Sequence, residues 1–187
     1  MATRKRTRAR ELALQFLYQD DVNRREPPAV ASGAPLPLDD FLRMQTSDDL
    51  VHAFAESLVV DVLREKERID AELTRVAQRW DVKRMAPVDR NILRIGVAEL
   101  LLRDDIPPQV TLNEAIELAK RFSTAKSGKF VNGVLDRIRA DLGRPPTAAS
   151  GVPARRAAEP QGDTDEELPD LPDLIDGPDA VDRAGGA

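Results

Sequence analysis

Between Ser47 and Arg79 the chain contains neither glycine nor proline, and its apolar residues return at a helical interval. Val51, Phe54, Leu58 and Val62 keep that interval, and Ile69, Leu73 and Val76 continue it. A repeat near 3.6 residues lines up one side of a helix, whereas a strand would need alternation. One rod running from Ser47 to Arg79 would exceed a compact domain, so a break is expected near Lys66. Ser47, with Asp48 and Asp49 behind it, is the expected N-cap, because acids in the first turn meet the positive end of the helix dipole.

The flanking segments repeat this logic. A first helix is expected from about Thr3 to Arg24, with Ala9, Leu12, Ala13, Phe16 and Leu17 as its core stripe. Leu14, Tyr18 and Val22 recur every four residues on a different side, and one contact face cannot hold both sets, which points to a partner. Four prolines among Ala, Ser and Gly make Glu26 to Pro37 a linker. Pro87 opens a helix carrying Val88, Ile92, Ile95 and Glu99, and Asp104 to Pro108 ends it. Thr111-Leu112-Asn113-Glu114 has the form of a capping box, followed by Ala115, Ile116 and Ala119 facing inward.

A last helix is expected from about Ala125 to Leu142, cored by Val131, Val134, Leu135, Ile138 and Leu142. At about 100° per residue, Lys126, Lys129, Phe130, Gly133 and Arg137 fall together on another side. The expected class is therefore all-α, with one helical domain over residues 1–143. Aromatics at 4% and charged residues at 33% suit helices cored by aliphatic side chains. From Gly143 onward Pro, Ala, Gly and Asp dominate, so residues 144–187 are expected to form a disordered acidic tail.

Charge sharpens when divided along the chain. The whole carries −5, yet residues 144–187 hold four Arg against ten Asp and Glu, leaving 24 basic and 23 acidic groups before them. Arg4, Lys5, Arg6, Arg8 and Arg10 are concentrated at the N-terminus with no acid among the first ten residues. Together with Lys126, Lys129 and Phe130 they suit single-stranded RNA, whose bases stack on an aromatic ring while cations neutralise phosphates. Phe130 and polar neighbours such as Asn132 would then supply specificity. The bland alternatives are a solvated helix start and a ring packed at the edge of the core.

Other chemistries find little support. The chain has no cysteine, which excludes disulfides, thiolate metal sites and cysteine nucleophiles, and favours a reducing cytoplasm. No apolar run approaches the roughly 20 residues of a membrane span. The single His52 has no second histidine with which to bind a metal, and the phosphate-loop, dinucleotide and serine-elbow motifs are absent. No catalytic residue, metal or cofactor is expected.

Four ordered blocks resemble the NusB family. Arg8-Ala9-Arg10-Glu11-Leu12-Ala13-Leu14-Gln15-Phe16-Leu17-Tyr18 is similar to its opening helix. Met85-Ala86-Pro87-Val88-Asp89-Arg90-Asn91-Ile92-Leu93-Arg94-Ile95, followed by Glu99-Leu100, is similar to its central helix. Asn113-Glu114-Ala115-Ile116-Glu117-Leu118-Ala119-Lys120 and Lys129-Phe130-Val131-Asn132-Gly133-Val134-Leu135-Asp136 resemble its C-terminal blocks. The likeness spans roughly residues 3–142.

This resemblance implies about seven helices in two packed three-helix bundles. It also implies a role in transcription antitermination, with binding to boxA RNA of ribosomal RNA operons. The implied partners are NusE, a small-subunit ribosomal protein, and elongating RNA polymerase with other Nus factors. The family's RNA surface maps onto Arg4, Lys5, Arg6, Arg8, Arg10, Lys126, Lys129 and Phe130. Its protein surface maps onto Tyr18, Val22 and Asp89, which would account for the stripe begun by Leu14. Two competing readings are a protein-only scaffold or homodimer that hides the RNA face, and a relative of RNA cytosine methyltransferases that contain a NusB-like domain. The second lacks a catalytic domain, a cofactor loop and a cysteine here.

Overall fold

The computed structural model describes residues 2–25, 37–77, 81–124 and 126–144. The expected tail at 144–187 therefore lies outside the described residues except for Arg144, as does most of the Glu26 to Pro37 linker. The described residues form seven α-helices and no strand: α1 (Ala2–Arg25), α2 (Leu38–Gln45), α3 (Asp49–Arg64), α4 (Lys66–Val76), α5 (Pro87–Leu102), α6 (Pro108–Phe122) and α7 (Ser127–Asp141). A 3₁₀ turn, Val82–Arg84, precedes α5.

Helices α1, α2 and α3 pack on one another, as do α5, α6 and α7, and α5 also meets α1, α3 and α4. The expected pair of three-helix groups thus shares α5 as its centre. Every residue of α5 from Arg90 to Leu100 is buried, so the stripe expected on this helix widens to its whole circumference. Gly96 permits the tightest of these crossings. A Cβ there would stand 2.7 Å from Leu135 Cδ1 on α7. A smaller core of Ala9, Leu12, Phe41, Leu42, Val51 and Ala55 holds α1 to α2 and α3.

Several helix boundaries follow local chemistry. The break near Lys66 occurs at Glu65, between α3 and α4. The N-cap of α3 is Asp48 rather than Ser47: its carboxylate accepts from the Leu50 and Val51 amides. Thr111 does not cap α6, which begins three residues earlier at Pro108, where the fixed φ of proline favours the first turn. The Thr111 hydroxyl instead donates to Glu99 Oε2 at 2.8 Å. Helix α7 ends in a Schellman motif, with Gly143 at φ +64° and bonds from Gly143 N to Ala140 O and Arg144 N to Arg139 O. Leu142, expected in the core, is exposed at that end.

Two buried polar networks fasten α1 to α5 in antiparallel order. Near the start of α1, Arg10 Nε donates to Glu99 Oε1 at 2.7 Å, and Arg10 also lies 3.3 Å from Glu114. Toward its end, Asp21 accepts from Arg90 and Asn91, while Arg94 pairs with Asp70 at 2.8 Å. Arg90 further donates to the Met85 carbonyl at 2.8 Å, securing the segment that leads into α5. A buried charge is tolerated only when paired and hydrogen-bonded, and these groups are both.

Candidate nucleic-acid interface

Because α1 buries most of its circumference, the side it leaves open is narrow. At about 100° per residue, Arg4, Arg8, Gln15, Tyr18, Gln19 and Val22 fall within one sector, and each is exposed or half-buried. The basic end of this sector comes first along the helix, the Tyr18 end last. Tyr18 is 40% exposed, more than any other large hydrophobic residue described on α1. Leu14 is not part of this side, contrary to the expected stripe, and is buried in the main core. A four-residue step advances about 40° around a helix, so Leu14 and Val22 diverge by about 80°.

The N-terminal cations separate in the same way. Arg4 stands exposed on the open side. Arg8 donates to Glu11 Oε2 at 2.9 Å, and Arg121 from the end of α6 reaches the other oxygen of that carboxylate. One anion between two guanidiniums leaves net positive charge, and the Arg121 side chain is 63% exposed. Arg121 was not singled out by sequence, since a cation in the last turn of a helix is the common complement to the dipole.

Lys5 and Arg6 turn elsewhere. Lys5 pairs with Asp48 at 2.7 Å, and its ammonium holds the Asp48 carboxyl below the usual aspartate range. Arg6 pairs with Asp105 at 3.1 Å and lies over the Phe54 ring. Arg10 is buried and bonded to Glu99, so it is part of the interior rather than of a binding surface.

The second basic region grows from the turn between α6 and α7. Ser127, itself buried, is its hub: Ser127 Oγ donates to Asp89 Oδ2 at 3.0 Å and lies 2.8 Å from Thr124 Oγ1 and 3.0 Å from Ser123 Oγ. This tie to α5 positions Lys126 and Lys129 outward, where both are exposed. Phe130 is half-buried against the main core, so its ring is anchored on one side and accessible on the other. Asn132, Gly133 and Arg137 are exposed along the outer face of α7. Asp89, expected with Tyr18 and Val22, is bonded to this turn.

The sequence profile of the NusB family matches residues 7–140. The chain belongs to the NusB family. The match takes in α1 from Thr7 onward, and Arg4, Lys5 and Arg6 lie just before it. A transcription antitermination protein NusB from Bacillus licheniformis is 49% identical over 138 residues, covering 74% of this chain and 98% of the relative. The NusB of Chloroherpeton thalassium is 42% identical over 131 residues, covering 70% of this chain, which spans only 59% of that relative. A crystal structure of the antitermination factors NusB and NusE in complex with double-stranded RNA is 30% identical, with a TM-score of 0.60, over 74% of this chain and 98% of that one. Both NusB relatives are transcription antitermination proteins.

Proposed function

We propose that this chain is a cytoplasmic antitermination factor that binds boxA RNA of ribosomal RNA operons together with NusE, and with it joins elongating RNA polymerase and other Nus factors. The observation that carries this reading is the open side of α1, with Arg4, Arg8 and the Arg121 of α6 at one end and Tyr18 and Val22 at the other. One narrow surface can therefore hold an anionic ligand and a protein partner side by side. A NusB relative in complex with NusE and RNA supports the same pairing. Lys126, Lys129 and Phe130 extend the RNA surface onto α7, and Asp89 supports it from beneath through Ser127.

Phosphate contacts supply most of such affinity, and each phosphate neutralised on a single strand adds about −0.7 to the slope of log K against log salt. Fluorescence titration of boxA RNA and a scrambled control, with and without NusE at two salt concentrations, tests the reading. Preferential boxA binding that tightens with NusE is expected. Equal weak binding to both RNAs in every condition would overturn it.

A further inference from the structure

Gly133 has no structural reason to be glycine. It lies in the middle of α7, where its backbone is helical and where positive φ is confined to Gly143 among the described glycines. A Cβ built on Gly133 would meet nothing within 4 Å, in contrast to Gly96, where Leu135 stands at 2.7 Å, and Gly128, where Ile116 stands at 3.7 Å. A glycine in a helix interior lowers the folding equilibrium constant about fivefold relative to alanine. No contact among the described residues offsets that loss at Gly133.

The surroundings of the missing side chain have a definite chemistry. On the helix surface, neighbours lie three and four residues away. For Gly133 these are Phe130 and Lys129 before it and Asp136 and Arg137 after it, and the Asp136 carboxylate is held by Arg139 at 2.8 Å. Lys129 is exposed and has no ion pair with a described residue, while Arg137, with a side chain 70% exposed, pairs with Asp141 at its rim. No exposed large aliphatic side chain borders the position, because Leu142 lies on a different side of α7. Bare backbone flanked by a ring, two cations and a carboxylate already paired with Arg139 suits a stacked base with phosphates at the cations better than an apolar protein surface.

We propose that Gly133 is the notch through which the RNA strand crosses α7, with one base against Phe130 and the flanking phosphates at Lys129 and Arg137. The proposal rests on the RNA-binding function above and assigns to the exposed glycine the role of admitting the strand to the helix backbone. A Cβ at this position would begin to fill the notch without meeting another atom within 4 Å.

Gly133→Ala and Gly133→Gln in the full chain test it through three measurements: urea denaturation, titration of boxA RNA in the presence of NusE, and NusE binding without RNA. Both variants are expected to be at least as stable as the parent and to bind NusE equally. RNA affinity should fall with side-chain size, reaching about tenfold for Gln, comparable to the loss of one stacked base. Unchanged RNA affinity would overturn the notch while leaving RNA binding intact. Lowered stability would show that the fold needs this glycine, and weakened NusE binding with normal RNA affinity would make it a protein seat; either result overturns the proposal. Failure of the unsubstituted chain to bind boxA would overturn the function and the notch together.

Discussion

Replacing Arg10 with methionine separates a structural arginine from an RNA-contacting one. Methionine keeps much of the length and apolar stem but leaves Glu99 without its 2.7 Å partner. Glu99 is 1% exposed, and its remaining donor is the Thr111 hydroxyl at 2.8 Å. Removing one member of a buried pair costs about 3–5 kcal/mol, because the other charge stays desolvated. For a folded region of this size, each kcal/mol lowers the thermal midpoint by about 2–4 °C, so a fall on the order of 10 °C is expected. Equilibrium urea unfolding should show the same loss as a lower midpoint. In RNA titrations of the folded variant, the salt slope should match the parent, since no phosphate contact has been removed. A second change, Glu99→Gln, should recover part of the stability by removing the stranded charge. The reasoning fails if Arg10→Met melts like the parent while the salt slope falls by about one contact.

Other perturbations probe different parts of the molecule. Gly96→Ala would place a Cβ 2.7 and 2.9 Å from the two δ-carbons of the fully buried Leu135, so urea unfolding should report a loss of about 1–3 kcal/mol. Tyr18→Ala should weaken NusE binding about tenfold or more by calorimetry, as loss of an exposed aromatic anchor does, while the thermal midpoint stays nearly unchanged. The Asp48 carboxyl is held below its ordinary value of 3.8 by the Lys5 hydrogen bond, so its contribution is complete above that value and fades as pH falls through the lower folded-state value. Asp48→Asn retains a cap for α3 but loses this dependence, and should flatten the acid limb of stability measured by urea unfolding as a function of pH.

Much of this architecture is local and therefore readable along the chain. The helical period between Ser47 and Arg79, the proline at the start of α5 and the glycine at the end of α7 each act within a few residues, and the helices form where these signals place them. The outer face of α7, from Lys126 to Arg137, follows from angle alone, because its opposite side is strongly apolar. Polar residues on α1 and α6 behaved differently. Thr111 and Glu114 have the spacing of a cap, yet their partners are Glu99 and Arg10 on other helices.

The sequence by itself determined the all-α class, the family and the outer basic face, since periodicity, turn chemistry and motif order are properties of neighbouring residues. Tertiary structure alone decided which charges are available to a ligand. Arg10 and Glu99 are 89 positions apart, and Asp21 and Arg90 are 69 apart, so no local rule connects them. An arginine is a binding group or a buried strut according to the carboxylate that packing brings to it. At the N-terminus that distinction leaves Arg4 exposed, pairs Arg8 with Glu11 on the open side, engages Lys5 and Arg6 at other sides of α1, and takes Arg10 into the interior.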